Sequence, residues 1–145
     1  MSKWSLTVAM SAVLGVVLFA AIRARGAEEK AAVQKPRCFE MRTYTAAEGK
    51  IEALHKRFRE HTNALFVKHG MTIIGFWTPT DGDAPKNTLV YILAYPDREA
   101  REKDWQEFQA DPEWVKAKAD SEKDGKLVDK VVSVFMAPTD YSPIK

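Results

Sequence analysis

Residues 87–95 (NTLVYILAY) carry apolar side chains at almost every position. Alternate side chains of an extended strand point to opposite faces of a sheet, so Leu89 and Leu93 share one face while Val90 and Ile92 share the other. Both faces need cover, because soluble monomers rarely expose large apolar patches. Any fold of this chain must therefore place a layer of structure on each side of this strand.

The period of the apolar residues changes along the chain and predicts six elements. Alternation is typical of strands, and a spacing of three and four residues is typical of amphipathic helices. The resulting order is strand, helix, strand, strand, helix, strand. It predicts an α+β, ferredoxin-like βαββαβ fold, in which two helices cover one face of a four-stranded antiparallel sheet. The predicted strands are 38–45, 71–78, 87–95 and 130–137, and the predicted helical regions are 48–69 and 97–123.

Local signals mark the ends of the predicted helices. Gly70 follows the first helix and favours a left-handed C-terminal cap. Asp97 is a favourable N-cap for the second helical region, and Asp111 followed by Pro112 restarts it.

Two helices leave the second face of the sheet uncovered. Since that face is also apolar, we infer that two copies of the chain pack their uncovered faces together. A two-fold homodimer is the usual symmetry for such an assembly.

The first 26 residues form a leader distinct from the rest of the chain. Residues 4–22 contain no charge, follow Lys3 and precede Arg23. This pattern predicts a signal peptide cleaved after Gly26; an uncleaved membrane anchor and an organellar targeting peptide are the alternatives. We expect an exported protein, periplasmic or extracellular, or one anchored in the membrane and facing outside. Residues 27–37 then form a linker and 38–145 the folded domain.

The charge balance excludes one class of partner. The chain has a net charge of +2, from 22 basic and 20 acidic residues, and the leader holds three of the basic residues and no acidic one. Without the leader the balance is 19 basic to 20 acidic residues, or −1. A near-neutral body does not neutralise phosphates, so we expect no nucleic acid partner and membrane contact only through an uncleaved leader.

The sequence contains no pattern for a metal or nucleotide site. Cys38 is the only cysteine, so it forms no intrachain disulfide, and we expect a buried, inert thiol. Glycine-rich phosphate loops and H-E-x-x-H motifs are absent from the sequence. We therefore expect no cofactor and no metal.

Several short motifs, in order, resemble the NIPSNAP family. They are FEMRTY (39–44), GK (49–50), HGM (69–71), GFW (75–77), AY (94–95) and ADPEW (110–114). The resemblance implies the dimeric α/β-barrel superfamily, in which two ferredoxin-like protomers pack their sheets into one barrel. Relatives in that superfamily include cofactor-free oxygenases, isomerases and haem-degrading enzymes. Some family members are mitochondrial. The leader of this chain predicts export instead, so we do not expect a mitochondrial role.

The first strand carries the candidate site. Glu40, Arg42 and Tyr44 share one face, and we place Phe39 and Met41 against the helices. The charged face then points into the barrel.

Two interpretations of this charged face stay open. In one, Arg42 binds an anionic or carbonyl oxygen, Glu40 accepts a proton, Tyr44 donates a hydrogen bond, and Trp77 and Tyr91 line the pocket. In the other, Glu40 and Arg42 form a salt bridge that sets the register of the dimer.

His61 lies on or beside the apolar stripe of the first helix. It is either a neutral histidine at the edge of the core, a proton donor or acceptor, or an axial haem ligand. His55 and His69 do not share its face, so zinc is not expected.

These observations predict an exported homodimer that binds a small molecule in its barrel or acts as an interaction module. The alternative is a cofactor-independent oxygenase or isomerase with Glu40 or His61 as the base. The sequence leaves open whether the protein is an enzyme.

Overall fold

The computed structural model describes residues 37–82 and 86–145. The predicted leader and nearly all of the predicted linker lie outside the described residues, so cleavage, anchoring and export stay predictions. Within the described part of the chain, no helix combines the length and apolar character that crossing a bilayer requires.

The domain is a four-stranded antiparallel sheet with helices packed on one face, as predicted. The strands are β1 (Cys38–Ala46), β2 (Thr72–Trp77), β3 (Thr88–Tyr95) and β4 (Val128–Met136), in the order β2-β3-β1-β4. The helices are α1 (Ile51–Arg57), α2 (Asn63–Lys68), α3 (Arg98–Ala110) and α4 (Pro112–Ser121). This order puts the two-sided apolar strand β3 in the interior of the sheet and leaves β2 and β4 at its edges.

The predicted helix ends are confirmed. Gly70 has φ +84°, the left-handed conformation that ends a helix. The Asp97 side chain accepts a hydrogen bond from the backbone N–H of Ala100 at 2.8 Å. The Asp111 side chain accepts one from the backbone N–H of Glu113 at 2.8 Å, with Pro112 at the first helical position.

The first helical region differs from the single helix predicted for 48–69. It begins at Ile51, because Gly49 has φ +70° and cannot extend the helix backwards. A π-helical turn, Phe58–Thr62, separates α1 from α2. The hydroxyl of Thr62 donates to the carbonyl of Arg57, five residues earlier, at 3.3 Å. Arg57, Phe58 and Thr62 are buried at this turn.

The core lies between the helices and one face of the sheet. Tyr91, Leu93 and Tyr95 are fully buried there, in contact with helix residues such as Phe66 and Phe108. Aromatic pairs hold this layer together: the Phe66 and Phe108 rings lie 4.9 Å apart.

The placement of the first strand's charged face was wrong. Register pairs Glu40 with Leu93 and Arg42 with Tyr91, and cross-strand partners share a face of the sheet. Glu40, Arg42 and Tyr44 therefore face the helices, not the open side. The alternation of β1 shows which residues share a face, but side chains from α3 decide which face is covered.

The open face of the sheet is apolar and exposed towards its edges. Trp77, Val132 and Val134 are exposed by 49%, 41% and 43%. Register places Val134 opposite Met41 on this face.

We expect Leu93→Asp to unfold the domain, because it puts an unpaired charge in the core between sheet and helices. The free energy of unfolding should fall by about 3 kcal/mol or more. The control is Val67→Asp, since Val67 on α2 is 63% exposed; its cost should stay within about 1 kcal/mol. Urea unfolding followed by circular dichroism measures both. Equal stability of the two variants would contradict the face assignment.

Candidate functional site

A cavity of about 890 Å³ lies between the helices and the β1–β4 side of the sheet. Its walls come from β1, α1, the π-helical turn, α2, α3, α4 and β4. Aromatic rings and two arginines form one part of the lining: Arg42, Arg57, Tyr44, Phe58, Phe66, Trp105, Phe108 and Trp114. Charged side chains contribute to the rest: Lys118, Glu122, Lys126, Asp129 and Lys130. A cavity of this size that combines aromatic rings with polar groups is typical of small-molecule sites.

Glu40 lies fully buried beneath this cavity and is surrounded by donors. Its Oε1 accepts hydrogen bonds from Arg42 Nη1 at 2.6 Å, Arg101 Nη2 at 2.8 Å and Ser133 Oγ at 2.7 Å. Its Oε2 accepts from Arg101 Nε at 2.9 Å and from the Tyr95 hydroxyl at 3.3 Å. The carboxylate is bound by residues of β1, β3, β4 and α3.

This environment keeps Glu40 ionised. Burial by itself would raise the pKa of Glu40, but hydrogen bonds from Arg101 and Ser133 and the charge of Arg42 lower it from 4.5 to about 2. A carboxylate with so low a pKa and with its lone pairs engaged is a weak base. The arrangement suits Glu40 to holding the two arginines in place.

Arg42 is held from three sides. Its Nε donates to the Tyr91 hydroxyl at 3.0 Å, its Nη1 to Glu40, and its Nη2 to the Tyr44 hydroxyl at 3.5 Å. The guanidinium carbon lies 4.2 Å from the centre of the Trp105 ring, in a cation–π contact. These contacts fix the cation at the floor of the cavity.

Arg42 is the cation of this group that lines the cavity. Arg42 and Arg101 both pair with Glu40, and Arg101 Nη1 also pairs with the exposed Glu102 at 3.1 Å. The two arginines and two carboxylates balance in charge, but only the guanidinium of Arg42 meets the cavity, where it can attract an anion.

Tyr95 and Trp105 support the same group from the helix side. Trp105 Nε1 donates to the Tyr95 hydroxyl at 2.7 Å, and that hydroxyl donates to Glu40. Burial is the main reason that the pKa values of both Tyr91 and Tyr95 are raised. Both hydroxyls therefore stay protonated and act as hydrogen-bonding groups.

The second arginine of the cavity, Arg57, lies where α1 meets the π-helical turn. It is 4% exposed. Its Nη1 donates to Glu122 Oε1 at 2.8 Å and to Ser121 Oγ at 3.3 Å, both at the end of α4. Its guanidinium lies 5.2 Å from the centre of the Trp114 ring.

The structure brings together four of the residues predicted from sequence and separates two. Arg42 and Tyr44 line the cavity, with Glu40 and Tyr91 buried behind them. Trp77 lies on the open face, where register pairs it with Val90.

His61 is separated from Arg42 and does not line the large cavity. It is exposed and borders a second, smaller cavity of about 330 Å³ together with Lys68 and Glu113. The sequence pattern placed His61 on or beside the apolar stripe of the first helix, and in the structure it is exposed on the π-helical turn.

Cys38 is half-buried, less than expected. Burial is the main cause of the raised pKa of the Cys38 thiol, so the thiol stays protonated. Among the described residues, no group of three or more His, Cys, Asp or Glu side chains is arranged to hold a metal ion.

Sequence reasoning missed Arg57, Arg101 and Ser133. Arg101 comes four residues before Trp105, so the two share a helix face, and this spacing indicates a cation on the buried side of α3. Register pairs Ser133 on β4 with Arg42, and only the packed side chains show that its hydroxyl reaches the neighbouring Glu40. No sequence pattern marks Arg57 as buried, because its position depends on a π-helical turn that the helical period does not predict.

The Glu40 network predicts a specific acid sensitivity. The pKa of Glu40 is lower in the folded than in the unfolded chain, so its contribution to stability is present above pH 4.5 and is lost as the pH falls through about 2. The contribution amounts to about 3 kcal/mol. We expect Glu40→Gln to be less stable than wild type at neutral pH and to lose less stability on acidification.

Urea unfolding at a series of pH values measures this difference. Glu52→Gln is the matched control, since Glu52 is exposed on α1. If Glu40→Gln and wild type show parallel pH profiles, the network does not stabilise the fold in this way.

Solved structures of similar proteins share this fold. A NIPSNAP family protein of unknown function from Agrobacterium tumefaciens has 24% sequence identity and a TM-score of 0.66, covering 76% of this chain and 95% of its own. A NIPSNAP domain protein from Burkholderia xenovorans has 25% identity and a TM-score of 0.63, covering 73% and 98%. SnoaB, a cofactor-independent oxygenase from Streptomyces nogalater, has 16% identity and a TM-score of 0.50, covering 75% and 99%.

A search of curated proteins finds no match to this chain.

The family comparison agrees with the motifs in the sequence. A sequence model of the NIPSNAP family matches residues 39–143, which include almost all of the folded domain. The chain belongs to the NIPSNAP family.

Proposed function

We propose that this protein binds a small aromatic molecule with an anionic oxygen in the cavity between helices and sheet. The observation that carries the proposal is Arg42, held rigidly at the floor of an aromatic cavity by Glu40 and Tyr91. The site lies on the helix-covered face and not inside a barrel formed by the open faces.

The anionic group is recognised by Arg42 and Tyr44. Arginine donates five N–H groups in a planar fork that suits a carboxylate or an enolate oxygen. Three of them are engaged by Glu40, Tyr91 and Tyr44. Arg42 is the charged group of this network that lines the cavity, so its remaining N–H groups are the ones that attract an anion.

The apolar part of the ligand is recognised by the aromatic wall. Trp105, Phe108 and Trp114 lie next to one another, with ring centres 5.5 Å and 4.5 Å apart. A planar ring gains both buried area and ring-to-ring contact against such a surface. These groups bury an aromatic body better than a flexible polar one.

The geometry favours binding over catalysis by the predicted bases. Glu40 is a weak base because its pKa is about 2. His61 borders the other cavity. Neither is placed to remove a proton from a molecule held at Arg42. The likeness to SnoaB is one of fold, and the oxygenase or isomerase alternative gains no specific support from these residues.

We also propose that the protein is a homodimer that packs the open faces of two sheets together. Trp77, Val132 and Val134 support this, since they form an exposed apolar surface on the side opposite the helices. A second copy presents the same apolar surface across a two-fold axis and removes both from water.

Benzoate is a suitable first ligand for testing the cavity. We expect Arg42→Ala to weaken its binding at least tenfold in isothermal titration calorimetry, because a hydrogen bond to a charged group is lost. Tyr44→Phe should weaken binding less, and it leaves the Glu40 pairs in place. The control is Arg59→Ala, an exposed arginine of the π-helical turn that does not line the cavity.

Circular dichroism must show that each variant is folded. Benzoate affinity that is unchanged in both Arg42→Ala and Tyr44→Phe would refute the proposed recognition. If neither benzoate nor any aromatic dicarboxylate binds measurably to the wild-type protein, the ligand class is refuted.

Val134→Asp tests the homodimer. A charge on the open face should produce folded monomers in sedimentation equilibrium, because an unpaired charge at an apolar interface is costly. Val67→Asp, on the helical side, should remain dimeric. A dimer that survives Val134→Asp, or a wild-type protein that is monomeric at micromolar concentration, would overturn the proposed interface.

A further inference from the structure

Arg57 is a buried cation of the cavity wall that the proposed recognition by Arg42 does not use. Its only negatively charged partner among the described residues is Glu122, which bonds Nη1 alone. The Nε atom is buried and has no hydrogen-bond partner among the described residues. The Nε–H donor of this guanidinium therefore has no acceptor, a costly arrangement for a buried group.

The local backbone is distorted where Arg57 enters the cavity. The π-helical turn begins directly after it, and the Thr62 hydroxyl bonds its carbonyl. Phe58 and Thr62 of the same turn also line the cavity. Single π-helical turns inside helices occur frequently at functional sites, because they redirect side chains that a regular helix would place elsewhere.

The ring of Trp114 orients the second cation. Arg57 lies 5.2 Å from the Trp114 ring centre, and Arg42 lies 4.2 Å from that of Trp105. Phe108 stands between these two tryptophans and contacts both. The cavity thus has an arginine stacked on a tryptophan at each of two positions, with aromatic surface between them.

We propose that Arg57 is a second anion-binding residue and that the ligand is an aromatic molecule with two separated anionic groups. Arg42 binds one group, Arg57 binds the other, and the ring between them lies along Trp105, Phe108 and Trp114. This inference rests on the proposed function and narrows its ligand class. A sphere with the volume of the cavity is about 12 Å across, which is wide enough for a single or fused aromatic ring with a carboxylate at either end.

Glu122 competes with the second anionic group. It is the carboxylate that Arg57 binds in the structure, and its side chain is 24% exposed at the end of α4. A ligand carboxylate that takes its place lets Glu122 turn towards water. The proposal therefore makes opposite predictions for the two partners of this ion pair.

The test compares one monoanion with dianions of increasing length. Isothermal titration calorimetry on the purified protein measures benzoate, isophthalate, terephthalate and naphthalene-2,6-dicarboxylate. We expect the best dianion to bind wild type at least tenfold more tightly than benzoate. In Arg57→Gln that ratio should fall to near one, whereas the matched variant Arg59→Gln should keep it.

Glu122→Gln gives an independent readout in which Arg57 is still present. Because it removes the competing carboxylate, we expect it to raise the affinity for the best dianion severalfold. A loss of dianion affinity in Glu122→Gln, or a ratio that survives in folded Arg57→Gln, overturns the second anion site.

The outcomes separate this inference from the proposed function. Benzoate binding that depends on Arg42, with no advantage for any dianion, refutes the role of Arg57 and leaves the proposed function standing. Failure of wild type to bind any of the four acids refutes both.

Discussion

A buried carboxylate that binds two arginines organises this domain. Isolated, the charge of Glu40 would cost several kcal/mol in the interior, so the fold is stable only when its partners are in place. Those partners come from β1, α3 and β4, which are far apart in sequence. The same contacts that make the charge tolerable also fix the sheet register and the position of α3. Removing one partner would leave an uncompensated charge, which makes the network strongly cooperative.

The network also connects stability to recognition. Glu40 binds two arginines, and one of them, Arg42, lines the cavity, so the group that stabilises the sheet also presents a cation to that cavity. In the proposed function, Arg42 is at once a structural partner of Glu40 and the group that binds the ligand. A rigid, already ordered cation loses little conformational freedom on binding, which favours affinity. The salt bridge between Glu40 and Arg42 lies under the helices of one chain, so the interpretation that it sets the register of a dimer at the open face is wrong. A salt bridge within the chain is compatible with the ligand interpretation.

The two faces of the sheet have different chemistry. The helix-covered face combines aromatic rings with a satisfied ion network, and the open face presents aliphatic and aromatic side chains such as Val134 and Trp77. A closed polar network has to be protected from water on one side, whereas an apolar face can be covered by any complementary apolar surface. Binding and assembly are thus assigned to opposite sides of one sheet in the function proposed here.

The sequence alone determined the elements and their order, because the alternation of strands and the periodicity of helices are local properties. It also determined that Glu40, Arg42 and Tyr44 lie on one face, since residues two apart in a strand share a face. Only the tertiary structure decided that this face lies under the helices. That outcome depends on Arg101 and Ser133, which meet Glu40 through packing and register across 61 and 93 residues. The π-helical turn beside Arg57 and His61 likewise depends on tertiary contacts, which the spacing of apolar residues along the helix does not reveal.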